Sequence, residues 1–251
     1  MYIATVHSTN SWVREHIDTF QDTCLWTTCQ TAGRGQAGNT WESEDGQNLL
    51  LSFLVRRPPI SAEQQFRLTM ATSLAVCETV HSLLPIEEVQ IKWPNDIYVG
   101  DNKLCGILIE TVLMGTNIDY AVIGIGLNIN QTQWQTNVPN PTSLKRLTGY
   151  TYQIEPIANA LTTALHNELT KLSDATLKAR YMQHLYRREG EWQFVEREVN
   201  TMPTQIAQRN NPNAFWAKIA DITEQGLLVL SPKDTNQPTQ AYHFKQIQYI
   251  L

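Results

Sequence analysis

The chain has no apolar run long enough to cross a bilayer, and it opens on the strand-like Tyr2-Ile3-Ala4-Thr5-Val6 rather than on a charged segment and a hydrophobic one. A membrane protein is therefore not expected, and a cytoplasmic location is. Cysteine is scarce: the four at positions 24, 29, 77 and 105 make no CxxC pair, and the six histidines are scattered without HExxH spacing. Neither a zinc site nor a disulfide framework is indicated, and Cys77 and Cys105 read as small buried hydrophobes. Basic residues are outnumbered, 19 against 24, for a net charge of -5, and no Lys/Arg run is long enough to track a phosphate backbone. Nucleic acid is not an expected partner. No Walker motif ending in GK(S/T), no Ser-His-Asp order and no paired-carboxylate pattern occurs either.

What is present is the composition of a folded globular protein, 42% hydrophobic with seven Trp in 251 residues, enough for one large domain or a main domain with an appendage. Residues 2 to 7 read as a strand, Ser11 to Phe20 as a short helix, and Cys24 to Cys29 as a strand running into a glycine-rich loop. Asn48 to Val55 is an almost unbroken apolar run of strand length, as in a strand covered on both faces. Ser61 with Gln64 forms a capping box, and Phe66, Met70, Leu74 and Cys77 recur at helical spacing, predicting a long helix over 61–84. Val89 to Trp93, Asp96 to Val99, Lys103 to Leu113 and Ile118 to Asn128 follow as strands joined by short turns, which favour antiparallel neighbours. A loop is expected from Asn130 to Pro141, a helical turn over Ser143 to Leu147, then a helix opened by Pro156 and another carrying Leu177, Tyr181 and Leu185. Beyond Arg187-Arg188-Glu189-Gly190 only short strands remain: Trp192 to Val199, Phe215 to Ile222, Leu227 to Leu230 and Ala241 to Leu251. This reads as a small all-β unit, with a domain boundary near 188.

Three segments carry chemistry. In QTAGRGQAGNTW, residues 30 to 41, Gly33, Gly35 and Gly38 free the backbone while Arg34 stands alone among small residues. Backbone N–H groups and a planar guanidinium together suit a phosphoryl oxygen. Ser8-Thr9-Asn10 either caps the helix after it or offers hydroxyls and an amide to a polar ring. Lys92, in the otherwise apolar strand before Pro94-Asn95-Asp96, either snorkels to solvent or points into an anion site, with Asp96 able to orient it. Glycines 124 and 126 punctuate a strand and admit a close neighbour, but no third glycine and no helix follow, so a dinucleotide fingerprint is excluded.

Taken together, STN at 8–10, QTAGRGQAGNTW at 30–41, KWPNDI at 92–97, KLCGILIE at 103–110 and GIGLNIN at 124–130 resemble the biotin protein ligases over essentially the whole chain. The resemblance implies an α+β fold. A mixed, largely antiparallel sheet with packed helices, like the class II synthetase-like ligase core, would span 1–188, and an SH3-like β-barrel 189–251. It implies activation of biotin with ATP and Mg²⁺ to biotinyl-5'-AMP, then transfer to one lysine of a biotin carboxyl carrier domain. By the same resemblance Ser8, Thr9 and Gln30 would bind the ureido ring, Asn10 would close that end, and Gly33 and Gly35 would give backbone contacts. Arg34 and Lys92 would neutralise carboxylate and α-phosphate, while Trp41 and Asn128 would lie by the nucleotide. No protein metal ligands are implied, because Mg²⁺ is satisfied by phosphate oxygens and water. Many family members carry a second loop Arg where Gln36 stands here; a neutral amide still hydrogen-bonds an acyl phosphate but supplies no charge, so faster escape of biotinyl-AMP is expected. Other readings are a lipoate or octanoate transferase, a biotin-responsive DNA-binding repressor, for which STN at residue 8 leaves no room ahead, and a non-catalytic binding module. A homodimer through a sheet edge is a further expectation.

Overall fold

The computed structural model describes residues 1–84, 88–135, 140–197, 213–234 and 238–250. The strand ends expected at Val199 and Leu251, and part of the loop expected before Pro141, lie outside these residues.

Helix α1 (Thr9–Glu15) is shorter than the apolar spacing predicts. Phe20 is nonetheless buried, so the apolar pattern outruns the helix that starts it. Residues 2 to 7 form no strand: they run beside β1 with isolated bridges from Tyr2 to Trp26 and Val6 to Gln30 and a hydrogen bond from Thr27 Oγ1 to Ala4 O at 3.1 Å. Strands β1 (Cys24–Thr27), β2 (Leu49–Arg56), β3 (Val89–Lys92), β4 (Asp96–Val99), β5 (Asn102–Met114) and β6 (Asn117–Leu127) form one sheet in the order β1-β2-β6-β5-β4-β3. Every neighbouring pair is antiparallel, as the short turns require. β2 is an inner strand, paired on both edges, and its apolar run is buried on both faces.

One face is covered by α2 (Phe66–Leu83), which packs on α4 (Ile154–Leu169) and α5 (Leu177–Gln183). α2 is sandwiched, so Leu68, Ala71, Ala75 and Val76 are buried as well as the predicted stripe. Pro156 lies within the first turn of α4, where backbone N–H groups have no helical partner to lose. Between β6 and α4, α3 (Leu144–Thr148) is capped by the Ser143 hydroxyl, which accepts from Arg146 N at 3.1 Å. The opposite face carries α1, whose Val13 packs with Leu25, Leu54 and Val122. Among the described residues no helix is long and apolar enough to cross a membrane.

The C-terminal β domain holds β7 (Trp192–Glu196), β8 (Ala214–Ile222), β9 (Leu228–Pro232), β10 (Gln240–Tyr242) and β11 (Ile247–Tyr249), ordered β10-β9-β8-β7-β11. Among the described residues the expected closed barrel is not found: β10 and β11, three residues each, pair there only with β9 and β7. Its apolar face joins the core beneath the larger sheet, through Phe194, Tyr249 and neighbours. Gly226 fits its turn against α2, since a Cβ there would lie 2.5 Å from Phe66 Cγ, and its φ of 84° suits glycine alone.

Candidate active site

On the α1 side of the large sheet lies a cavity of about 190 Å³. Its floor is glycine. Gly106 and Gly126 are direct partners across β5 and β6, and Gly124 follows on the same side of β6. The room they leave is taken by protein: a Cβ at Gly124 would lie 2.5 Å from Asn10 Oδ1, one at Gly106 2.7 Å from Trp41 Cζ3, and one at Gly126 2.6 Å from Trp41 Cζ2. Helix α1 and the glycine-rich loop thus rest directly on the strand backbones.

Part of the lining is neutral and polar. Ser8, Thr9 and Asn10 are buried and belong to it, and Ser8 makes no capping hydrogen bond, so the segment faces the cavity as well as starting a helix. Thr9 donates from N (2.8 Å) and Oγ1 (3.0 Å) to Gln30 Oε1, which fixes that amide and leaves Nε2 as its donor. Asn10 Oδ1 accepts from Ser52 Oγ at 2.6 Å, while its Nδ2 donates to Leu108 O (3.2 Å) and Glu110 Oε2 (2.9 Å). Asn10 is therefore a fixed wall rather than an adaptable one.

Two cations line the same cavity, Arg34 next to Asn10 through a shared carboxylate oxygen and Lys103 next to Trp41. The loop folds on itself through Gly35 N to Asn39 O (2.7 Å) and Trp41 N to Gly33 O (3.0 Å), with a short 3-10 turn over Gln36–Gly38. Arg34 reaches across to Glu110 Oε2 at 2.7 Å, and Arg14 holds the other carboxylate oxygen at 3.0 Å. Burial by itself would raise the Glu110 carboxyl, but hydrogen bonds from Arg34 and Asn10 and the nearby guanidinium charges outweigh it and hold it below 4.5. Lys103 also lines the cavity, its Nζ 2.7 Å from Asp96 Oδ1 and 5.6 Å above the Trp41 ring centre.

Of the residues expected from sequence, Ser8, Thr9, Asn10, Gln30, Arg34, Gly35, Gln36 and Trp41 come together here. Three do not. Gly33 packs against the other limb of the loop, where a Cβ would meet Trp41 O at 2.6 Å. Asn128 is buried, donating Nδ2 to Thr142 O at 2.9 Å. Lys92 pairs across the turn with the lining residue Asp96 but does not itself line the cavity; its Nζ donates to Tyr98 Oη at 3.0 Å and lies 4.7 Å and 5.4 Å from the Tyr98 and Tyr249 ring centres. Burial lowers its pKa to about 8 although Asp96 pulls the other way. The cation brought to the pocket is Lys103, missed because strict alternation along β5 sets residue 103 on the face away from Gly106. A register shift opposite Ile97 and Tyr98 breaks that alternation, so Lys103 Cε lies 3.4 Å from where a Gly106 Cβ would be. No sequence signal marks the shift, although Asp96, Asn95 and Lys103 all stand in the two motifs read above.

An antiparallel six-stranded sheet with α2, α4 and α5 on one face and α1 on the other, followed by a C-terminal β domain, is a fold shared with solved biotin protein ligases. The solved ligase from Aquifex aeolicus in complex with biotin and ATP superposes with a TM-score of 0.74 over 99% of this chain and 98% of that one, at 19% identity. The chain belongs to the Biotin/lipoate A/B protein ligase family, whose model matches residues 3–128. It is 35% identical over 144 residues to the bifunctional ligase/repressor BirA of Escherichia coli, and 36% identical over 117 residues to the biotin acetyl-CoA-carboxylase ligase of Mycobacterium tuberculosis. Those matches take in 55% and 46% of this chain but 43% and 42% of the relatives, so the chain spans less than half the length of either.

Proposed function

We propose that the chain is an ATP-dependent ligase that activates biotin as biotinyl-5'-AMP and transfers it to one lysine of a biotin carboxyl carrier domain, as in the acetyl-CoA-carboxylase ligases. The observation that carries this is the lining of one cavity: the neutral hydrogen-bonding groups of Ser8, Thr9 and Gln30 together with the cations Arg34 and Lys103, beside strands whose glycines let Asn10 and Trp41 pack close. A ureido ring needs paired donors and acceptors, which Ser8, Thr9 and the oriented Gln30 amide offer. A carboxylate approaching a phosphate needs positive charge more than a base.

In the first step a biotin carboxylate oxygen attacks the α-phosphorus, forming one P–O bond as the bond to pyrophosphate breaks. Arg34 and Lys103, which line the cavity, neutralise the anions brought together, with Lys92, the cross-strand partner of Asp96, as the further lysine that the resemblance sets against carboxylate and α-phosphate. In the second step the carrier lysine, as the free amine, attacks the mixed anhydride at its carbonyl carbon; AMP leaves and the amine proton passes to solvent. The lining offers one carboxylate, Asp96, already bound by Lys103, which fits Mg²⁺ arriving on the phosphates and not caged by protein. When bound, that ion would add to the neutralisation of phosphate charge. Trp41, with its buried Nε1 unpartnered among the described residues, borders the nucleotide end.

Residues 1–188 would carry this site and 189–251 a separate β unit. A cytoplasmic location follows from the need for ATP and carrier, the acidic balance argues against DNA, and the far half of β5, beyond the residues paired with β4, offers an edge for a homodimer. Incubation with biotin, MgATP and a carrier domain should yield biotinyl-AMP and pyrophosphate, and a carrier lysine labelled with biotin by mass spectrometry. An unlabelled carrier together with no pyrophosphate release rejects the proposal; labelling by lipoate in preference to biotin moves the substrate to the other branch of the family.

A further inference from the structure

The loop over 30–41 carries one cation, Arg34, and that cation is already engaged. Its Nη2 lies 2.7 Å from Oε2 of Glu110 on β5, a residue outside the cavity lining. A guanidinium paired one-to-one with a carboxylate presents almost no net charge to an arriving anion. Lys103 is in the same position, 2.7 Å from Asp96. What differs at Glu110 is a second guanidinium. Arg14, in the last turn of α1, donates from Nη1 to the other carboxylate oxygen, Oε1, at 3.0 Å, and does not line the cavity.

One carboxylate is therefore divided between two cations that come from different elements. Oε2 also accepts from Asn10 Nδ2 at 2.9 Å, and Asn10 is held in turn by Ser52, so the carboxylate is fixed and cannot follow Arg34. The Glu110 side chain is 22% exposed, against 40% for Arg34 and 46% for Arg14. A carboxylate so enclosed is destabilised when its only cationic partner turns to another anion, and Arg14 on Oε1 removes most of that penalty. The next carboxylate along α1, Glu15, lies against His7 at 3.3 Å.

We propose that Arg14 is a positioning residue: by holding Glu110 it leaves the charge of Arg34 available to the phosphate of the ligand, which Arg14 itself does not touch. Naming that ligand as the biotin adenylate rests on the ligase reading; the sharing of one carboxylate between two guanidinium groups does not, and the two are tested apart. The consequence has a sign that general damage to the fold does not share. Without Arg14, Glu110 belongs to Arg34 alone, so the unliganded loop is held more tightly while an anionic ligand is bound more weakly.

The first measurement needs no ligand. In the full-length protein, hydrogen exchange at the loop amides of Gly35, Asn39 and Trp41, each bonded within the loop, should slow about threefold in Arg14→Met and quicken about threefold in Glu110→Gln. The second uses two ligands that share the biotin ring: biotinol, the neutral alcohol, and its 5'-AMP phosphodiester, which carries the phosphate charge without a labile anhydride. By calorimetry Arg14→Met should bind the phosphodiester about tenfold more weakly and biotinol within about twofold of wild type. Arg14→Lys, which keeps the charge, should bind both within about threefold. In a Glu110→Gln background, where no carboxylate needs holding, Arg14→Met should weaken the phosphodiester by less than about twofold. Unchanged or faster loop exchange in Arg14→Met, an equal loss for both ligands, or a tenfold loss that persists in the Glu110→Gln background overturns the proposal. A wild-type protein that binds neither ligand defeats the ligase reading, and the loop exchange still decides the sharing of Glu110.

Discussion

Lys92 and Lys103 begin from the same chemistry and end in opposite situations. Each stands on a strand that meets Asp96, one at the turn and one on the neighbouring strand. Lys103 has a carboxylate at 2.7 Å and opens onto the cavity; Lys92 has a phenol hydroxyl and an aromatic ring, and burial takes its amine down to about 8. The contrast teaches that one carboxylate does not balance two lysines equally: the one in direct contact with Asp96 keeps its charge partner, and the other, enclosed by ring faces, has its pKa lowered by burial.

The sharpest way to break that contrast is Lys103→Ala. Adenylation kcat should fall by about 10²–10³-fold, with biotin affinity within a few-fold of wild type. An equal or larger loss in Lys92→Met would set Lys92 at the reacting anions, as the resemblance implies. Next in size, Gly124→Ala sets a methyl 2.5 Å from Asn10 Oδ1, an amide held by Ser52 and Glu110 and unable to yield. Biotin affinity should drop by about tenfold or more in calorimetry, since a displaced wall removes a well-packed contact.

Acid and base titrations sharpen the same comparison. Lys92 has a folded pKa below its ordinary 10.5, so the cost of burying its charge is present below about pH 8 and is relieved as pH rises from there to 10.5. Denaturant unfolding should therefore show wild type gaining stability relative to Lys92→Met across that window; parallel curves would refute an enclosed amine. Glu110 runs the other way. Its folded carboxyl lies below 4.5, so its contribution is complete above that pH and is lost as pH falls through the lowered value. Glu110→Gln should shift the acid limb of the unfolding curve while leaving stability at pH 7 within about 1 kcal/mol, as befits a partly exposed pair. The smallest effect is expected of Gln36→Arg: a second loop cation should slow release of biotinyl-AMP by a few-fold, and an unchanged release rate in a chase experiment would count against a charge-based hold.

Much of this was readable beforehand. The unbroken run of β2 announced a strand covered on both faces, the glycines at 124 and 126 announced a close neighbour, and STN, Gln30 and the glycine-rich loop do converge on one cavity. What filled the glycine gap was not readable: it is the indole of Trp41 from the chain's own loop. The Arg34–Glu110 contact joins residues 76 apart, and nothing local to either predicts the other. The closed barrel failed for a similar reason, because strand composition shows that β10 and β11 exist but not whether their edges meet.

Composition and spacing by themselves determined the chemistry on offer: which segments are apolar enough to build a sheet, which loop can bend over a ligand, and how few cations the chain has to spend on an anion. Tertiary structure alone decided which lysine faces the pocket. A one-residue shift of register rotates a side chain to the other face of a strand, and that shift is set by how β4 and β5 pair, not by the residues of either strand taken singly.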